Sequence, residues 1–353
     1  MQRIAAGRNH TAIINDDGHL GTCGNNSFGQ LGFHTSNPKQ PTIKWVKKLG
    51  EVQAVAAGEL FTAVIDEANC AWMFGDNLQG QLGLGNNHTK VSKPSKAKIP
   101  TAIRSVACGY SHALFLDENG DVWSAGMNRQ GQLGHGDDSA RRTPEKVEGL
   151  PPIQSVSCGS HYSTFLDTSG MVWMCGRVWV ESHRSLASVV PMVWEGLGKI
   201  REVSSSKSLS MIITEEGDLI AGGTLNTGHF NLHRFELPPI KQAVSNSTLQ
   251  VAIDHDGGLW RGGIDLFGCS TIPHGTLQKI SGDEDFLVSS VAAGLDHLVL
   301  QTADGKVCTC GGNNFGQLGI GHCNATSRSK LNYLQDVSVR DIVHHPIKSA
   351  RNI

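Results

Sequence analysis

The chain has 353 residues, with 30 Lys and Arg against 32 Asp and Glu and a formal charge of −2. That balance, with no basic tail, gives no strong nucleic-acid signal, since phosphate binding needs clustered positive charge. No run of about 18 apolar residues is present, so no membrane-spanning helix is expected.

The N-terminal Met1-Gln2-Arg3-Ile4 already reads as a strand, so no signal peptide is expected ahead of the fold. Gly7 follows, then Gly18 eleven residues on and Gly24 six further. The same three landmarks return along the chain. The first recurs at Gly58, Gly109, Gly159, Ser206, Asn246 and Gly294. The second recurs at Asn69, Gly120, Gly170, Gly217, Gly257 and Gly305, and the third at Gly75, Gly126, Gly176, Gly223, Gly263 and Gly311. Spacing inside the unit never changes, whereas successive first landmarks lie 51, 51, 50, 47, 40 and 48 residues apart. Rigid spacing within and variable spacing between describe one supersecondary unit with adjustable loops, repeated seven times.

The third copy shows what the unit contains. Val106-Ala107-Cys108, Leu114-Phe115-Leu116 and Val122-Trp123 are apolar runs too short for helices. The middle landmark is Gly or Asn, residues that tolerate the positive φ of a tight turn. Residues 113–125 are therefore predicted as a hairpin, with a fourth strand near Pro144–Val147. Four short antiparallel strands repeated seven times predict an all-β chain, a seven-bladed β-propeller of four-stranded antiparallel blades. Every copy opens with apolar residues six and three before the first landmark, such as Ile103 and Val106. Met1 and Ile4 fill that role first, and Val339 and Ile342 fill it again at the end, so one copy is surplus. The propeller is expected to span 1–338, with 339–353 a displaced partial repeat or tail.

After the third landmark, four copies carry a second motif: Asn26-Ser27-Phe28-Gly29-Gln30-Leu31-Gly32, and its counterparts ending Gly80-Gln81-Leu82-Gly83, Gly131-Gln132-Leu133-Gly134 and Gly316-Gln317-Leu318-Gly319. With Val106-Ala107-Cys108-Gly109, His112 and Trp123, the unit resembles the regulator-of-chromosome-condensation repeat, over nearly the whole chain. Kelch repeats share the length but lack the Gly-Gln-Leu-Gly loop. The resemblance implies a seven-bladed propeller. It also brings in guanine-nucleotide exchange, because founding members of that family act on the small GTPase Ran. Two departures weigh against exchange here. No linker between blades carries an extra hairpin, and the basic N-terminal extension is missing. The family's ultraviolet-B-sensing branch carries a Gly-Trp-Arg-His-Thr signature that is absent, which argues against light sensing.

Copies four, five and six lose the loop motif, through drift or through specialisation of a surface carrying Trp179, Trp194 and Phe230. The linkers of the first two copies hold Lys39, Lys44, Lys47 and Lys48, then Lys90, Lys93, Lys96 and Lys98, with no acid among them. They should lie side by side on adjacent blades, as solvated surface or as a site for an acidic partner. Candidate partner-binding residues are thus Lys44, Lys47, Lys93, Lys96, Trp179 and Trp194.

No catalytic, cofactor or metal constellation stands out. Asp66, Asp117, Asp167 and Asp254 share one repeat position and read as turn acceptors. His10, His112 and His297 each lie three residues after a first landmark and read as structural, bonded between blades. The nine cysteines fall largely at repeat positions with no C-x-x-C pair, which fits free thiols in a reducing, intracellular compartment, cytoplasmic or nuclear. The expected function is a non-catalytic, monomeric propeller presenting loops to a protein partner. A guanine-nucleotide exchange factor for a Ran-like small GTPase is the alternative.

Overall fold

A computed structural model describes residues 2–181, 184–207, 209–224, 230–246, 249–263, 276–280, 286–324 and 331–339. Seven four-stranded antiparallel sheets follow one another along the chain, each built from four consecutive strands. These are the predicted blades. The hairpin of blade three pairs His112–Asp117 with Val122–Gly126, and its fourth strand is Arg141–Lys146, beginning three residues before the expected run.

The middle landmark turns the chain at positive φ in every blade: 77° at Gly18, 57° at Asn69 and 85° at Gly120, for example. At Gly120 an added Cβ would also meet the backbone of Ile153 at 3.1 Å, where the next blade begins. In four of the seven blades an aspartate binds the turn from within, and Asn15, Thr214 and Thr302 take its place in the others. Asp117 Oδ1 accepts the amides of Asn119 and Asp121, while Oδ2 accepts the indole N–H of Trp123. Asp66, Asp167 and Asp254 hold Trp72, Trp173 and Trp260 in the same way. The expectation of turn acceptors therefore holds, and it extends to a tryptophan six residues on.

Apolar side chains from the central strands pack between neighbouring blades, so the core is a ring of inter-blade clusters. Leu114, Leu116 and Val122 of blade three meet Ile153 and Phe165 of blade four. The loop motif braces the outer part of the same seams. Asn128 Oδ1 accepts the amide of Leu133, and Gln132 Oε1 accepts the amide of Gln130. The tightened loop then lies against the next blade's fourth strand, where a Cβ on Gly131 would sit 2.6 Å from Val189 Cα.

The seam histidines lock blade to blade. His10 Nε2 lies 2.9 Å from Thr62 Oγ1, whose hydroxyl donates to the carbonyl of Gln30 at 2.8 Å. His112 with Ser163 and Gln132, and His297 with Thr11 and Gln317, repeat the relay. Because the hydroxyl spends its hydrogen on the carbonyl, it must accept from the imidazole. Each ring is therefore the neutral Nε2–H tautomer. Burial holds their pKa values at about 3, about 3 and about 4.

Ring closure differs from expectation. In blades two to seven the residue six before the first landmark donates its amide to the preceding blade's middle landmark, as Val52 does to Gly18 and Ile153 to Gly120. Val339 makes that same bond to Gly305 at 2.8 Å, and it is fully buried beside Ile4 and Ile13. Ile4 pairs with Ile13. The C-terminal duplicate was expected to be the displaced one; Val339 takes the anchor place, and Ile4 of the N-terminal strand continues from it. Residues 340–353, including Ile342, lie outside the described residues.

Candidate functional site

The antiparallel order of the strands puts the first-to-second-strand turn of each blade and the end of its third strand on the same face of the ring. The first-landmark turns crowd the axis there. A Cβ on Gly109 would fall 2.4 Å from His112 Cε1 and 2.7 Å from the carbonyl of Gly159, so only a residue without a side chain fits. This close approach leaves a shallow axial mouth of about 390 Å³. Its floor is made of landmarks and small residues. Its rim is made of the residues that follow the landmarks.

Those rim residues differ from blade to blade where the frame does not. Arg8 of blade one pairs with Glu59 of blade two at 2.6 Å. Tyr110 of blade three stacks on His161 of blade four, with centroids 5.9 Å apart and planes 18° from parallel. Lys207 of blade five and Leu295 of blade seven complete the described arc. Burial lowers the His161 pKa, and the nearby Arg177 and Lys207 charges lower it further. The mouth is thus electrostatically lopsided. Blades one and two neutralise each other, whereas Arg177 and Lys207 put positive charge on blades four and five beside a His161 ring kept neutral.

Below the rim the axis continues as a narrower space of about 260 Å³ walled by alanine, serine and valine. Glu202 is the acid lining it, and burial pushes its carboxyl up to about 7. It lies five residues before Lys207, roughly 16 Å along an extended strand.

The sequence-based candidates fall elsewhere. Lys44 lies in the fourth strand of blade one (Lys39–Trp45), and Lys93 and Lys96 in that of blade two (Lys90–Lys96). Lys47 follows in the linker. All four are exposed on the outer edges of adjacent blades. Lys44 Nζ sits 4.5 Å from the centre of the Phe33 ring. These strands also carry Pro41 and Pro94, and lysine with proline is how natural sheets keep an edge from pairing. Trp194 is corrected: it is buried in the seam between blades four and five, its ring filling the space beside Gly222. A glycine opposite an indole is a packing arrangement, so Trp194 is not available to a partner. Trp179 lies in the third strand of blade four, and its side chain is outside the described residues, as is that of Phe230.

Blade four holds a feature that the linker survey missed. Its third and fourth strands each run ten residues, Val172–Glu181 and Arg184–Val193, and pair out to Glu181 with Arg184. Where blades one, two, three and seven carry the braced loop, this one extends a two-stranded ribbon. Among the described residues no group of His, Cys, Asp and Glu could hold a metal, and no helix is long and apolar enough to cross a membrane.

Comparison with known proteins agrees with this architecture. A family model described as the RCC1-like domain matches residues 1–232. The ultraviolet-B receptor UVR8 of Arabidopsis thaliana is 25% identical over 343 residues, covering 90% of this chain and 67% of that protein. The protein RCC2 homolog of Danio rerio is 36% identical over 132 residues, 36% of this chain and 26% of that protein. The human X-linked retinitis pigmentosa GTPase regulator is 39% identical over 119 residues, 33% of this chain and 11% of that protein. The chain thus spans a small part of the latter two relatives. Among solved structures, human WBSCR16 superposes with a TM-score of 0.79 at 20% identity, covering 90% of this chain and 94% of that one. Prp20p of Saccharomyces cerevisiae gives 0.77 at 18%, covering 95% and 87%. Both likenesses show the fold. Seven blades built on this repeat, with a family model matching well over half of its length, make the chain a member of the RCC1-like domain family.

Proposed function

We propose that this chain is a non-catalytic interaction platform that presents the turns around its axial mouth to a protein partner. One observation carries this: the frame residues repeat from blade to blade, while the rim residues Arg8, Glu59, Tyr110, His161, Lys207 and Leu295 do not. A rigid ring with a variable rim is suited to recognition. Similar proteins agree in kind, since Prp20p binds Gsp1p and histones and forms a complex with Kap60. We place the protein in the cytoplasm or nucleus as a monomer; the eight described cysteines are all unpaired, which suits a reducing compartment.

Guanine-nucleotide exchange remains the second reading, and the ribbon of blade four favours it. Exchange requires an element that enters and distorts a nucleotide site, and a protruding two-stranded ribbon has the shape to do so. Nucleotide release from a panel of small GTPases, measured beside affinity capture from extract, separates the two. The platform reading expects a captured protein partner and unchanged release. Release accelerated tenfold or more, and lost when residues 178–186 are replaced by a short turn, would establish exchange instead.

A further inference from the structure

We propose that the axial channel beneath the mouth binds a primary ammonium carried on an unbranched alkyl chain. The Glu202 carboxylate takes the ammonium, and the alanine and valine walls take the methylenes. The site lies below the rim and is independent of the platform reading.

The lining is the first support. Among the described residues Glu202 is the one acid on the channel wall, and no lysine or arginine lines it. Its carboxylate has no hydrogen bond or ion pair among those residues. Gln242, the corresponding residue of blade six, is spent: its side chain donates to the carbonyl of Val291 at 3.2 Å and accepts that residue's amide at 3.0 Å. Arg201 precedes Glu202 but turns to the next blade, where its guanidinium donates to the carbonyl of Ile240. The Arg201 charge draws the Glu202 carboxyl down, yet burial outweighs it and pushes the group up to about 7. On the strands packed against Ile200–Ser205 the other titratable groups are Cys158, Tyr162, Asp167 and Lys241. Burial keeps Cys158 and Tyr162 protonated, Asp167 holds its own turn, and Lys241 is exposed. A carboxylate withdrawn from water with no partner is stabilised by a cation that reaches it.

Depth and walls are the second support. Ala57, Cys108 and Ser205 line both the mouth and the channel, so the two spaces are continuous. Glu202 sits four residues before the Ser206 landmark, about 13 Å along the strand. Between the two levels the walls are small and largely apolar, with Ala56, Ala107, Val156 and Ala292 among them. An apolar cavity of about 150 Å³ takes benzene, so a channel of about 260 Å³ has room for a chain of roughly six carbons or more. A lysine side chain, with its four-carbon stem, falls short of Glu202 from a partner resting on the rim. The depth therefore favours a free alkylamine.

The test titrates the full chain with n-hexylamine by calorimetry at pH 8. Comparison probes are 1-hexanol, hexanoate and an acetylated, amidated Ala-Lys-Ala peptide. The amine should bind about tenfold or more tightly than the alcohol, and hexanoate should not bind. Glu202→Gln should lower the amine affinity about tenfold or more without lowering the melting midpoint. Ala56→Leu, which narrows the channel and leaves the carboxylate in place, should weaken amine and alcohol alike. The ammonium needs an ionised carboxylate, so the wild-type affinity should fall about tenfold from pH 8 to pH 6, whereas that of Glu202→Gln should not change. The lysine peptide separates the sources. It should bind about tenfold more weakly than hexylamine; equal affinity, lost equally in Glu202→Gln, supports the ammonium site and gives it to a partner's lysine. Equal affinity for amine and alcohol, unchanged binding by Glu202→Gln, or no binding of either amine at millimolar concentration overturns the site.

Discussion

At the scale of single residues, the seams are matched pairs. His10 faces Thr62, His112 faces Ser163 and His297 faces Thr11, each through a hydrogen bond, and Tyr162 faces Ser210 at 3.0 Å. Where the slot holds Phe61, the next blade offers Ala113, and both join one apolar cluster. At these five seams the polarity of one blade is answered on the next. His112→Phe alone removes the imidazole N–H that Ser163 Oγ accepts, leaves that hydroxyl only its bond to the Gln132 carbonyl, and should cost about 1 kcal/mol. Adding Ser163→Ala, which copies the seam of blade two, should recover much of that loss in a double-mutant cycle followed by urea denaturation. The neutral histidines also set an acid limit. In the unfolded chain they take protons below about pH 6.5, whereas the folded pKa values are about 3 to 4. Stability is complete above pH 6.5 and falls as pH drops toward 4, each histidine adding at most about 1.4 kcal/mol per pH unit. Melting midpoints of the double variant should fall less steeply with acid than those of the wild type. Equal slopes would mean that His112 is not held neutral. Gly120→Val should destabilise by about 1–3 kcal/mol, because a β-branched residue resists the 85° φ of this turn. An unchanged melt would contradict the turn.

At the scale of elements, what was legible in the sequence depended on repetition. The hairpin of blade three could be placed within a residue because Asn119-Gly120 punctuates two apolar runs in a copy seen seven times. The fourth strand was harder. It carries Arg142, Thr143, Glu145 and Lys146, whose exposed side chains leave no alternation to read. Blade four was missed for the converse reason. Its ribbon departs from the repeat, so no sibling copy announced it. Trp194 was misplaced because a tryptophan in a divergent stretch looks the same whether it faces solvent or fills the space over Gly222. The rim residues could have been found by asking which positions vary beside an invariant landmark. For the lysines on the edges of blades one and two, we propose long-range attraction of an acidic partner in addition to edge protection. Changing Lys44, Lys47, Lys93 and Lys96 to Glu should then slow association and flatten its salt dependence. Association at an unchanged rate in low salt would leave them with edge protection only.

At the scale of the whole molecule, the ring closes by sharing one strand place between both ends. Val339 supplies the anchor and Ile4 the continuation. The propeller boundary is accordingly proposed to fall after Val339. Ending the chain at Ser338 removes a buried valine and its backbone bond, which should cost about 2–3 kcal/mol, while ending it at Val339 should leave the melting midpoint nearly unchanged. Equal melts for the two truncations would show that the N-terminal strand fastens the ring alone. A closed ring holds the mouth turns in fixed relation, and the platform account depends on that rigidity. Its most direct test is photo-crosslinking with a benzophenone side chain in place of Tyr110, in parallel with one in place of Lys93. The account predicts a covalent adduct between the chain and a protein partner from position 110. A partner captured from extract that crosslinks from position 93 and never from position 110 would contradict it.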